Sequence, residues 1–131
     1  MLRLLSLAAG AYVAQAALEC PVPPLPYAYE ALEPSIGADT MRTHHDKHHA
    51  SYAKKFCELV NTVEGDKNHA NLRTIIDQGH EAILKNVQHF PPTMQGPLVA
   101  QGGGYLNHKA FWEIMRAPKK DNAPTGRLAG T

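Results

Sequence analysis

What this 131-residue sequence has little of narrows its class. It holds two cysteines, too few for a disulfide-dense scaffold. Neither sign of charge is in excess: 13 Lys and Arg stand against 12 Asp and Glu, and without a basic surplus a nucleic-acid partner is not expected. No apolar run approaches the roughly 20 residues needed to cross a bilayer. Internal repeats, strand-like apolar/polar alternation and low-complexity tracts are all missing. The composition, 44% hydrophobic and 19% charged, is neither disordered nor fibrous. The length leaves room for one core. Histidine, by contrast, is abundant, with eight in the chain and four of them within six residues.

The first 16 residues read as a targeting peptide. Met1-Leu-Arg3 is followed by an apolar stretch from Leu4 to Ala14 and a small-x-small site at Ala14-Gln15-Ala16, the layout of a secretory signal. A mitochondrial or plastid transit peptide is the alternative, but it would be richer in Arg and Ser. The expected destination is the secretory pathway or the exterior, with no membrane attachment once the signal is removed. Cys20 and Cys57 are able to pair in an oxidising compartment. A free, buried Cys57 on a helix is the preferred reading.

Residues 17–34 form an expected extended arm, with five of the ten prolines between Cys20 and Pro34. Helical periodicity follows from about Ile36 to Val63, with Asp39 as N-cap and Gly65 as stop. A second helix is expected from Asn71, as N-cap, to Asn86, although Gly79 inside it costs about 1 kcal/mol against Ala. Residues 90–104 hold three Pro and four Gly and are expected to turn. A third helix is expected from about Tyr105 to Met115. The chain therefore reads as all-α: an extended arm, a helical domain over 35–117 and a flexible tail over 118–131.

Two segments carry chemistry. His44-His-Asp-Lys-His48-His49 places His44, His48 and Tyr52 on one helical stripe, and His45 and His49 on the next. Four imidazoles within six residues suit Zn, Mn, Fe or Cu. H-x-x-x-H alone is a weak signal, and the HExxH signature is absent. The second segment is Gly102-Gly-Gly104-Tyr-Leu-Asn-His108, followed by Phe111 and Trp112. No G-K-[ST] follows the glycines, so a phosphate cradle is not expected. Small residues there would let the backbone approach another element closely. Two helices, each bringing a His and aromatic neighbours, are able to converge on one metal.

Leu25-Pro-Tyr27-Ala-Tyr29-Glu-Ala-Leu-Glu-Pro34, the histidine run through Tyr52, and Gly102 through Trp112 together resemble the N-terminal half of the iron/manganese superoxide dismutases, in that family's order and spacing. The resemblance implies an antiparallel helical hairpin with His44 and His108 as metal ligands. It makes His48 and Tyr52 the pair flanking the substrate funnel, and Trp112 and Phe111 the aromatic wall about the metal. Gly104 lies where iron-type members carry a Gln, which favours manganese over iron. The implied reaction is dismutation of superoxide by redox cycling of the His-bound metal. The family's C-terminal α/β domain, with an Asp and a third His ligand, has no counterpart in the sequence. Two of four ligands are thus expected to be missing, in a truncated form of the enzyme. A catalytically inactive dismutase-like binding module is the alternative. Self-association, or a partner covering the hairpin, is expected from the faces left uncovered.

Overall fold

The structure, a computed structural model, describes residues 17–64, 67–120, 123 and 125–130. The targeting peptide expected at 1–16 and the stop expected at Gly65 lie outside the described residues. Every regular element among the described residues is helical. A 3-10 turn (Tyr29–Leu32) leads into α1 (Ala38–Arg42), a π-helical stretch (Thr43–His49) and α2 (Ala50–Glu64), which follow without a break. A 3-10 turn (Lys67–Leu72) precedes α3 (Arg73–Ile76) and α4 (His80–Lys85). The long helix α5 (Pro92–Ile114) closes the hairpin. Among the described residues no helix is long and apolar enough to cross a membrane.

The helix starts differ from the sequence expectation for identifiable reasons. Gly37 occupies the N-cap of α1 and Asp39 sits inside the first turn, where a carboxylate still favours the positive end of the helix dipole. The orphan Ala38 N–H is satisfied from outside, by Glu33 Oε1 at 3.2 Å. The single helix expected over 71–86 is two helices. Gly79 adopts φ +94°, a conformation that only glycine reaches cheaply, and it separates α3 from α4. Asn71 lies in the preceding 3-10 turn rather than at a cap.

The larger correction concerns residues 90–104, which do not turn. Helix α5 begins at Pro92, in the first-turn position that proline tolerates. It then runs through Pro97 and all four glycines. Pro97 forfeits one interior hydrogen bond, an effect of about 3 kcal/mol in an isolated helix. Packing outweighs it. A Cβ at Gly102 would stand 2.7 Å from Phe56 Cε2 and 2.8 Å from Leu84 Cδ2, so the bare backbone is what lets α5 lie against α2 and α4. His44 meets His108 while Phe56 meets Gly102, so rising numbers on one strand of the hairpin match falling numbers on the other: it is antiparallel.

Two apolar clusters hold this arrangement. Ala53, Phe56, Val60 and Val63 of α2 pack with Leu72, Ile76, Ile83, Phe90, Leu98 and Tyr105. Leu32, Met41 and Trp112 form a smaller cluster with Leu25, Tyr27 and Tyr29 of the arm.

The arm has no strand partner, so its backbone oxygens need partners from elsewhere. Helix side chains provide them. Asn61 Nδ2 donates to Leu18 O at 3.2 Å while Asn61 Oδ1 accepts from Leu18 N–H at 3.0 Å. His80 Nε2 donates to Glu19 O at 2.8 Å, Tyr105 Oη to Pro21 O at 2.9 Å and His45 Nε2 to Pro23 O at 2.8 Å. This course brings Cys20 against α2, and it is disulfide-bonded to Cys57. The expectation of a free Cys57 is thereby corrected: the arm returns along the helix that carries it.

The bond closes a sequence separation of 37 residues, for which chain entropy gives about 3–4 kcal/mol. Cys57→Ser should lower the thermal unfolding midpoint below that of the oxidised parent chain in calorimetry with chelator present. An unchanged midpoint would contradict a stabilising clasp.

Candidate metal centre

His44 comes from the π-helical stretch and His108 from α5, and their Nε2 atoms lie 2.9 Å apart. Each ring is half-buried. His108 Nδ1 donates to the Gly104 carbonyl, one turn back on the same helix, at 2.7 Å. A carbonyl only accepts, so the proton of neutral His108 is fixed on Nδ1 and the Nε2 lone pair points at His44. Burial, followed by the neighbouring His108 and His48 rings, holds the His44 pKa below the ordinary histidine value. His44 is accordingly biased towards the neutral form, the one that binds metal.

Aromatic rings enclose the pair. Trp112 sits 5.0 Å from His44 and Phe111 5.6 Å, centroid to centroid. Tyr52 lies 5.2 Å from the ring of His108, and His48 lies 5.9 Å from that of His44. The six predicted side chains thus form one group, with His48 exposed on its rim and Tyr52 half-buried. Two open clefts reach it. One, of about 540 Å³, is lined by Asp39, Thr40, Thr43, His44 and His48. The other, of about 240 Å³, is lined by His44, Asn107, His108 and Phe111.

Gly104 acts through its missing side chain. A Cβ there would stand 2.7 Å from Tyr52 Cγ, so the glycine is the seat of the Tyr52 ring as well as the carbonyl partner of His108.

The stripe reasoning overlooked what His45 and His49 do. His49 is fully buried; its Nδ1 accepts from Trp112 Nε1 at 3.0 Å and its ring stacks on His108 at 5.3 Å. It therefore fixes the indole that lies against His44. Its Nε2 has no hydrogen-bond partner, the Tyr105 backbone standing only near enough to offset burial in part. Burial, then the charges of His108 and His45, push its pKa down to about 4. His45 is held at both nitrogens, by the Asp46 carboxylate at 2.7 Å and the Pro23 carbonyl. The Asp46 carboxyl is kept below its usual range by His45 and then by Tyr29. The adjacency of His44 to His45, and of His48 to His49, was the available signal: neighbouring residues on a helix cannot all face one site.

Whether these side chains suit a metal can be tested on the spacing. The 2.9 Å separation is that of a hydrogen bond between the rings; two nitrogens on one ion at about 2.0–2.1 Å and a tetrahedral angle stand about 3.3 Å apart, so a small opening of the pair admits an ion. Among the described residues no third His, Cys, Asp or Glu offers a ligand atom within 4.8 Å of both.

The fold and this pair define a helical hairpin whose two strands bring a pair of imidazoles face to face. Residues 20–116 match the family described as iron/manganese superoxide dismutases, alpha-hairpin domain. The chain is 42% identical over 106 residues to superoxide dismutase [Mn] 1 of Leptolyngbya boryana, covering 81% of this chain and 39% of that protein. This protein belongs to the iron/manganese superoxide dismutase family. It spans about two fifths of that relative's length.

Two predictions follow from the packing and the buried ring. Gly104→Ala should destabilise by about 1–3 kcal/mol, as overpacking does. Gly103→Ala, with nothing within 4 Å of its Cβ, should gain up to about 1 kcal/mol from helix propensity. Urea midpoints of the two variants moving the same way would contradict this. For His49, the unfolded ring takes up a proton near pH 6.5 but the folded ring only near 4. Its contribution is complete above about pH 6.5 and is lost as the pH falls towards 4, up to about 3 kcal/mol. Metal-free His49→Gln should lose less stability across that window than the parent chain; an equal loss would contradict the assignment.

Proposed function

We propose that this chain is the helical, metal-binding half of a superoxide dismutase, the reaction that turns two superoxide anions and two protons into dioxygen and hydrogen peroxide. The observation that carries the reading is the 2.9 Å approach of His44 Nε2 to His108 Nε2, with the His108 lone pair aimed into the gap by the Gly104 carbonyl. His44 and His108 are the residues that hold manganese or iron, and a bound ion supplies the one-electron couple. Manganese is preferred, since Gly104 offers no side chain to the site and the cited relative is a manganese enzyme by name. The remaining ligands come from residues outside those described.

The chain's own groups have separate tasks. Trp112 and Phe111 cover the ligand rings and exclude water. Tyr52, its ring 5.2 Å from that of His108, holds a proton for reduced dioxygen, and His48 on the rim relays protons from solvent. Superoxide, small and anionic, enters through the clefts beside His44. The exposed Phe111 and Ile114, the latter 78% exposed, mark the face that a second copy or another partner covers. The Cys20–Cys57 disulfide supports a secretory or extracellular location; a mitochondrial or plastid one is the alternative.

The lack of a third nearby ligand among the described residues favours a second reading, an inactive dismutase-like binding module. Metal titration and superoxide assay of the chain separate the two. The isolated chain should bind Mn(II) through the imidazole pair, with His108→Ala weakening it at least tenfold, about 1.4 kcal/mol. It should turn over little superoxide until the missing ligands are supplied by a longer chain or a partner. Unaltered Mn(II) affinity in His44→Ala and His108→Ala would refute the metal centre. Robust turnover by the chain alone would refute the shortage of ligands. A longer chain that stays inactive with manganese bound would establish the module.

A further inference from the structure

A second grouping of metal-binding side chains lies away from the imidazole pair. Cys20, Cys57 and a ring nitrogen of His80 each offer a ligand atom within 4.8 Å of the others, all half-buried. The three come from the arm, α2 and the first residue of α4. We propose that the Cys20–Cys57 disulfide is one state of a redox-switched zinc site: once reduced, the two thiolates and His80 bind Zn²⁺, and oxidation expels it.

The donor set suits the ion. Two thiolates and one imidazole, with solvent in the fourth position, is an established tetrahedral zinc combination. His80 Nε2 donates to the Glu19 carbonyl, which leaves the lone pair of the neutral ring on Nδ1. A metal-binding histidine almost always has such a backbone partner on its other nitrogen. A cleft of about 360 Å³, whose walls include Leu18, Glu19, Asp77 and Gly79, opens beside the chain neighbours of Cys20 and His80 and supplies an entry path. Zinc there would keep the arm tied to α2 when the covalent tie is lost.

The chemistry balances in both directions. A dithiol passes two electrons and two protons to the disulfide, becoming a cyclic disulfide itself and leaving two Cys thiols. Zinc binding then releases those two protons. In reverse, one cysteine thiolate attacks the O–O bond of hydrogen peroxide, giving a sulfenic acid and hydroxide. The second thiolate displaces hydroxide from the sulfenic sulfur and forms the S–S bond; two protons from solvent turn the two hydroxides into water, the two sulfurs together give up two electrons to one peroxide, and no thiolate is left for the ion.

Co(II) titration of the whole chain, reduced with a phosphine and desalted without oxygen, is the test. Reduced protein should bind one Co(II) more than oxidised protein does, with the near-ultraviolet thiolate-to-cobalt absorption and the strong visible bands of a tetrahedral site, and Zn²⁺ should erase both. Oxidised protein should show neither. His80→Gln should weaken binding at least tenfold, whereas a His44→Ala/His108→Ala double variant should keep the thiolate absorption, separating this site from the imidazole pair. One equivalent of peroxide should return the metal to a chromophoric chelator. No thiolate absorption in reduced protein, loss of its helical circular dichroism, or equal affinity in His80→Gln would each overturn the site. Metal retention after peroxide would overturn the switch.

Discussion

The close crossing of α5 over the π-helical stretch and α2 is the constraint on which everything else depends. His44 and His108 are 64 residues apart in sequence, and this crossing brings their nitrogens within 2.9 Å. Glycine makes the crossing possible at two points, where Phe56 and Tyr52 occupy the volume a side chain would take. Those aromatics then become walls. Phe56 is wholly buried in the main core, and Tyr52 is set against the ring of His108. Two missing side chains thus fix the packing of the helices and the seat of an aromatic ring, and the Gly104 carbonyl fixes the tautomer of neutral His108.

Polar groups buried around the pair complete its orientation. His49 is expensive to bury, with one nitrogen unpartnered, yet it holds the Trp112 indole in place from behind. His45 ties the same segment to the arm, and Tyr27 Oη donates to the Trp112 carbonyl at 3.0 Å. The arm is therefore part of the site's support: it has few N–H groups of its own because of its prolines, and its carbonyls give the histidine and tyrosine side chains of the hairpin something to hold. The disulfide fastens this layer at its far end.

Much of the candidate site was legible because its signals were local and specific. The histidine run and the Gly102–Trp112 block pointed to the hairpin by resemblance, and the two histidines expected as ligands lie side by side in the structure. What failed depended on tertiary contact. Pro97 and the four glycines read as breakers since local propensity is all a short window contains; the compensating contacts of Gly102 are with Leu84 and Phe56, outside that window. Gly79 erred in the other direction, where a positive φ rather than a weakened helix was its role. The pairing of Cys57 could not be read without knowing the path of the arm, and π winding over Thr43–His49 has no distinguishing mark in its residue types.

The central claim is that His44 and His108 hold one metal ion between them. Anomalous diffraction from crystals of the chain grown with Mn(II) tests it most directly. The account predicts a single anomalous peak within bonding distance of both Nε2 atoms, with His108 Nδ1 still on the Gly104 carbonyl. Manganese bound elsewhere while the two rings remain hydrogen-bonded to each other would contradict it.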